Sequence, residues 1–141
     1  MMHKLNLKET TIFITGAAGF IGANLVMKLL KEEVPARIIG MDNLNDYYDV
    51  RLKEWRLGQI EKLSKEHPET EWIFKKADIA DRQGVEEVFA SYEPQVVVNL
   101  AAQAGVRYSI TNPDAYISSN MIGFYNILEA CRHSYDDGKQ G

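Results

Sequence analysis

Thr10-Thr11-Ile12-Phe13-Ile14-Thr15-Gly16-Ala17-Ala18-Gly19-Phe20-Ile21-Gly22 is a short β-branched apolar run that breaks into three glycines spaced three apart and then into a helical pattern. A strand must here turn sharply into a helix. The helix N-terminus offers unpaired N–H groups and a partial positive charge, which together suit an anion such as a dinucleotide pyrophosphate. Gly16 permits the tight turn, Gly19 lets the backbone approach phosphate without a Cβ in the way, and Gly22 lets the helix pack close to the strand. The spacing is GxxGxxG, not the commoner GxGxxG, so the flanking segments carry the reading. An amphipathic helix with Ile21, Leu25, Val26, Leu29 and Leu30 on one face follows the glycines, and a second strand over 37–41 leads into Asp42. Asp42 lies 20 residues after Gly22, close to the spacing at which an acidic residue takes adenosine ribose hydroxyls. Its carboxylate can accept from both hydroxyls and repels a 2′-phosphate. No arginine follows it immediately, so NAD is expected over NADP.

Outward from this unit, strand and helix patterns alternate. A polar loop over 42–49 precedes a helix over 50–64, which Pro68 closes off; residues 71–77 read as a third strand ending in Asp78-Ile79. Asp81 is placed to cap a helix over 82–91, with Val85, Val88 and Phe89 on one face. Residues 95–100, with the apolar run Val96-Val97-Val98 at their centre, read as a fourth strand of the kind buried on both faces of a parallel sheet, and Asn112-Pro113-Asp114 opens a long helix over 113–133. The alternation predicts an α/β, Rossmann-like, doubly wound parallel sheet with strand order 3-2-1-4 that stops before a fifth strand. The ligand is expected where the order reverses, between strands 1 and 4. Residues 1–141 read as one NAD-binding domain, the N-terminal part of a longer enzyme, with a polar, glycine-rich tail over 134–141 that frays.

The 45% apolar and 26% charged composition fits a soluble globular protein, and a net charge of −4 gives no attraction to nucleic acid or an anionic membrane. No apolar run approaches the length of a membrane span, and residues 1–9 are too polar for a signal peptide. The single cysteine, Cys131, sits in an apolar helical pattern, which excludes a disulfide framework, points to a reducing cytoplasm, and reads as a packed thiol, not a nucleophile. His3, His67 and His133 are scattered, so no metal site is expected.

Several stretches resemble the extended short-chain dehydrogenase/reductases, and within them the NAD-dependent nucleotide-sugar epimerases, in particular the UDP-glucuronate 4-epimerases. They are Thr15 to Gly22, Met41-Asp42-Asn43-Leu44-Asn45-Asp46-Tyr47-Tyr48, Asp78-Ile79, Asn99-Leu100-Ala101-Ala102-Gln103-Ala104-Gly105-Val106-Arg107 and Asn120-Met121-Ile122-Gly123. The resemblance covers nearly the whole chain but only the N-terminal half of such an enzyme. It implies that Gly16, Gly19, Phe20, Ile21 and Gly22 meet the pyrophosphate, that Asp42, Asn43, Leu44 and Asn45 surround the adenosine ribose, and that Asp78 and Ile79 flank the adenine. By the same resemblance Leu100, Ala101, Ala102, Gln103 and Ser119 line the cofactor, and Asn120 helps hold an active-site water and lysine. From pattern alone, Ala101 and Ala102 equally suit a close helix contact, and Ser119 and Asn120 a solvated face. Arg107 is either a contact for an acidic sugar nucleotide or a solvated loop cation.

In the family the base is a tyrosine with a lysine four residues on, following a fifth strand. Tyr135 and Lys139 have that spacing, but Asp136-Asp137-Gly138 intervenes and no fifth strand precedes them, so no catalytic residue is assigned. The expectation is therefore the NAD-binding portion of a UDP-glucuronate/UDP-galacturonate-type 4-epimerase, inactive alone, with a UDP-sugar as the full enzyme's substrate. A stand-alone, non-catalytic NAD-binding module and a fragment of a 4,6-dehydratase or reductase are the alternatives. An exposed apolar edge at strand 4 and the last helix predicts a homodimer or other self-association.

Overall fold

The computed structural model describes residues 6–46, 49–104 and 106–137. Four parallel strands, β1 (Thr11–Thr15), β2 (Arg37–Asp42), β3 (Glu71–Lys76) and β4 (Val96–Asn99), form one sheet in the order β3-β2-β1-β4. Ile14 is in register with Gly40 on one side and Val98 on the other. Helices α1 (Phe20–Glu32), α2 (Val50–Glu66) and α3 (Arg82–Tyr92) join the strands in turn. Beyond β4 come α4 (Val106–Thr111), α5 (Pro113–Tyr116), a π-helical stretch (Ile117–Gly123) and α6 (Phe124–Asp136).

Alternation along β1 separates two apolar layers. Ile12 and Ile14 pack with Val26, Leu29 and Leu30 of α1 and Ile60 of α2, whereas Phe13 faces Val85 and Val88 of α3 and Ile127 and Ala130 of α6. Helices thus cover both faces, as the doubly wound expectation requires. Phe13 is fully buried and meets Phe89 edge-on at 5.9 Å; burying such a ring stabilises the fold by about 2–3 kcal/mol.

Four differences from expectation have physical causes. All of β4 is half-buried, not buried on both faces, because it pairs only with β1 and forms an edge among the described residues. Asp81 sits at the α3 N-cap, but its carboxylate makes no capping bond; its main-chain carbonyl takes Val85 N, and its own N–H is held by the Asp78 carbonyl. The helix α4 was not anticipated, since Val, Tyr, Ile and Thr are mediocre helix formers; Asn112 stabilises its end by donating to Tyr108 Oη at 2.8 Å. The single helix expected over 113–133 is divided into α5, the π-helical stretch and α6, and it runs on to Asp136 because Ser134 is buried and Arg132 bridges Glu129 and Asp136 along the exposed side. Tyr47, Tyr48, Gly105, the rest of the glycine-rich tail over 138–141 and residues 1–5 lie outside the described residues.

Candidate functional site

A cleft of about 310 Å³ opens at the carboxyl ends of the strands, on the side where the sheet order reverses. Its glycine wall follows from sterics. Gly16 has φ +67°, and a Cβ there would lie 2.8 Å from the Leu100 carbonyl carbon and oxygen, so only glycine fits where β1 passes beneath the end of β4. A Cβ on Gly22 would fall 2.1 Å from the Gly16 carbonyl oxygen, so this glycine serves the packing of α1 on the turn itself. Gly19 is different. It is the N-cap of α1, no side chain caps it, and a Cβ there would meet only Gly16 O, at 3.2 Å.

Asp42, buried at the end of β2, ties three segments together. Its Oδ2 accepts from Ala18 N of the glycine turn at 3.1 Å, and its Oδ1 accepts from Leu44 N at 2.8 Å. The buried ammonium of Lys53, on α2, stands 3.4 Å from that Oδ1 and 3.4 Å from Asn45 Oδ1. One turn further on, Arg56 donates to the Ala18 carbonyl at 3.2 Å and lies 6.0 Å from the Phe20 ring centre. Two cations, Lys53 and Arg56, thus join Asp42 in the lining of the cleft. The Asp42 carboxylate thus faces three donors, the N–H groups of Ala18 and Leu44 and the Lys53 ammonium.

The opposite wall is set by main-chain contacts. Buried Thr15 bonds through its hydroxyl to Asn99 Oδ1 and accepts from Leu100 N at 3.0 Å and Ala101 N at 3.1 Å, which fixes the chain leaving β4. Asn120 in the π-helical stretch holds Gln103 by its main chain, while buried Asn126 donates to the Ile79 carbonyl at 2.9 Å. Asn43 donates to Asp78 Oδ2 at 3.2 Å, joining the loops after β2 and β3.

Of the residues anticipated for the cofactor, Gly16, Gly19, Phe20, Asp42, Asn43, Asn45, Asp78, Ile79, Leu100, Ala101, Ala102, Gln103 and Ser119 line this one cleft. Ile21 points outward and is 67% exposed, Gly22 is buried beneath the turn, and Leu44, with φ +55°, acts through its N–H on Asp42. Asn120 acts through Gln103, and Arg107 is exposed on α4 away from the lining. Met41, Leu52, Lys53, Arg56, Ala77 and Ala104 complete the lining and were not anticipated. Lys53 and Arg56 stand three apart on α2 and so share a face, but a pair of cations in a charged helix carries no signal of which face points inward. Among the described residues, no cluster of three or more His, Cys, Asp or Glu side chains could hold a metal, and no helix is long and apolar enough to cross a membrane.

The family described as GDP-mannose 4,6 dehydratase matches residues 13–140, nearly the whole chain. The chain belongs to this family. Protein CapI of Staphylococcus aureus is 51% identical over 122 residues, covering 86% of this chain and 34% of that protein. The UDP-glucuronate 4-epimerase of Thermodesulfobacterium geofontis (strain OPF15) is 43% identical over 116 residues, 82% of this chain and 33% of that enzyme. The fold is shared with the UDP-glucose 4-epimerase of Thermus thermophilus, whose crystal structure is a complex with NAD; the TM-score is 0.67 at 31% identity over 88% of this chain and 34% of that one. The chain thus spans about a third of the length of the curated relatives it matches.

Proposed function

We propose that this chain is the NAD-binding portion of a nucleotide-sugar 4-epimerase of the UDP-glucuronate type. One observation carries the reading: the glycine turn, Asp42 and the Leu100 to Gln103 segment, far apart in sequence, line a single cleft at the switch point of the sheet. The residues fit the cofactor. Ala17 and Ala18 are fully buried, so between Gly16 and Gly19 no side chain stands between the turn and a pyrophosphate, and the N-terminus of α1 supplies N–H groups and dipole for its charge. Asp42 keeps one acceptor position for a ribose hydroxyl. Asp78 and Ile79 flank the place of the adenine, with Ile79 held by Asn126. Leu100, Ala101 and Ser119 line the cleft on the side where the nicotinamide end would lie.

When bound, NAD supplies an acceptor for the hydride removed from the sugar carbon. The part of this chain is to bind and orient it; no described residue is assigned the proton-transfer role. The likeness to the UDP-glucuronate 4-epimerase of Thermodesulfobacterium geofontis supports UDP-glucuronate as the substrate of the whole enzyme. The family's description favours a second reading, in which the same cofactor site belongs to a 4,6-dehydratase. A homodimer is the expected assembly, supported by the exposed apolar stripe Ile117, Met121, Tyr125 and Leu128. The lone, half-buried Cys131 agrees with a reducing cytoplasm.

Calorimetry with NAD and with ADP-ribose tests the reading. Similar affinities for the two are expected, because the adenosine and pyrophosphate contacts dominate, and Gly19→Val should abolish both. Binding that survives Gly19→Val would overturn the assignment.

A further inference from the structure

We infer that the outer edge of β3 pairs antiparallel with β3 of a second copy of this chain, in the register centred on Ile73 and at a surface separate from the helical stripe. Among the described residues β3 pairs only with β2, so its other side is an edge. Glu71 N donates to the Ala36 carbonyl at 3.0 Å and Ala77 N to the Asp42 carbonyl at 3.2 Å, so by alternation the main-chain groups of Glu71, Ile73 and Lys75 turn toward β2. Those of Trp72 and Phe74 turn outward. Beside this edge, on the α3 side, a groove of about 270 Å³ lined by Lys75, Lys76, Glu87, Ser91 and Tyr92 stays open.

The charges on the edge select its partner. Lys75 and Lys76 are exposed and form no ion pair among the described residues, which keeps an apolar strand away. A second β3 brings the acid that answers them. About a two-fold axis through Ile73, Glu71 of each copy stands opposite Lys75 of the other, Trp72 stands opposite Phe74, and the two Ile73 side chains meet. Trp72 and Phe74 then exchange main-chain hydrogen bonds, the use their outward N–H and C=O groups call for, while Ile73 and the Glu71–Lys75 pairs take the closer, non-hydrogen-bonded positions. Moving the centre to Trp72 or to Phe74 would set Ile73 opposite a charge, Glu71 or Lys75. Both charged groups are already held at the edge: Arg37 Nε lies 3.0 Å from Glu71 Oε2, and Lys75 Nζ lies 5.7 Å from the centre of the Tyr92 ring. On the other face Trp72 stacks on Phe74 at 6.4 Å, and the pairing joins two such stacks.

Sedimentation of the chain carrying Met121→Asp and Leu128→Lys, which disable the helical stripe, tests the pairing. Association that rises with concentration is expected. Glu71→Lys and Lys75→Glu, added singly, each turn both attractive pairs into like-charge pairs and should weaken association by about tenfold or more. An equimolar mixture of these two variants restores both pairs and should associate as the parent does. Lys31→Glu, the same change of net charge placed on α1, should also behave as the parent. The register is read independently by cysteine: with Cys131→Ser, Ile73→Cys should give a disulfide-linked dimer under diamide, because opposed non-hydrogen-bonded residues bring their Cα atoms to about 4.5 Å, and Phe74→Cys should not. A strictly monomeric parent, a mixture no more associated than either variant alone, or equal cross-linking at Ile73 and Phe74 would each overturn the inference and leave the cofactor reading standing.

Discussion

The carboxamide of Asn120 pairs twice with the main chain of Gln103: its Oδ1 accepts from Gln103 N at 2.8 Å and its Nδ2 donates to the Gln103 carbonyl at 3.1 Å. The π-helical stretch is thereby fastened to the segment leaving β4, and Gln103 itself is buried. Truncating Asn120 to Ala leaves two main-chain groups without their partner. A loss of about 1–3 kcal/mol in urea unfolding is expected. NAD and ADP-ribose affinities should fall together, several-fold, because the Leu100 to Gln103 wall starts against the glycine turn at Leu100 and loosens, and unchanged affinities in calorimetry would show that this wall does not contact the cofactor.

The three glycines of the turn should separate in a stability assay. Gly16→Val and Gly22→Val place a Cβ 2.8 Å from Leu100 and 2.1 Å from Gly16 O, so both are expected to lower the melting temperature sharply or prevent folding. Gly19→Val meets only Gly16 O at 3.2 Å and should melt within a few degrees of the unsubstituted chain while losing NAD. Equal destabilisation of all three, read by circular dichroism, would mean that Gly19 is a packing residue.

With NAD and UDP-glucuronate supplied, the chain should show no turnover. Tyr135, whose spacing to Lys139 imitates a catalytic pair, is 67% exposed on α6 and absent from the cleft lining, and Lys139 lies outside the described residues. Turnover that disappears in Tyr135→Phe would establish the pair as functional.

Association is expected through the apolar side of the π-helical stretch and α6. Met121 is 65%, Tyr125 58% and Leu128 52% exposed, spaced to share one stripe, and β4 has a free edge among the described residues. Sedimentation should show dimers or larger species that shift toward monomer in Met121→Asp/Leu128→Lys. A strictly monomeric species at high concentration would contradict the proposed assembly.

Burial pushes the Cys131 thiol above the ordinary range. At neutral pH it should alkylate more slowly than a cysteine in the urea-unfolded chain, with a rate still climbing at pH values where an ordinary thiol has levelled off. Because the folded state holds this proton more tightly, its contribution to stability is constant below the ordinary thiol pKa and falls as pH rises above it. Equal folded and unfolded alkylation rates by mass spectrometry would refute the packed-thiol reading.

Sequence alone determined the sheet order, the turn and most of the cleft, because these depend on local signals: β-branched runs, glycines that no other residue can replace, and an acid at the end of a strand. Gly16 and Gly22 were legible for this reason. Tertiary structure decided which side chains converge from distant segments. Thr15 holding Leu100 and Ala101, Asn126 holding Ile79, and Lys53 neutralising Asp42 each join residues that no periodicity relates. The half-buried state of β4 had the same origin, since a Val run reads alike at the centre and at the edge of a sheet and only its neighbours set its exposure. The charge around Asp42 is the most consequential case: the sequence shows only an acid at the end of a strand, and the fold swings α2 across to give it a cation 3.4 Å away.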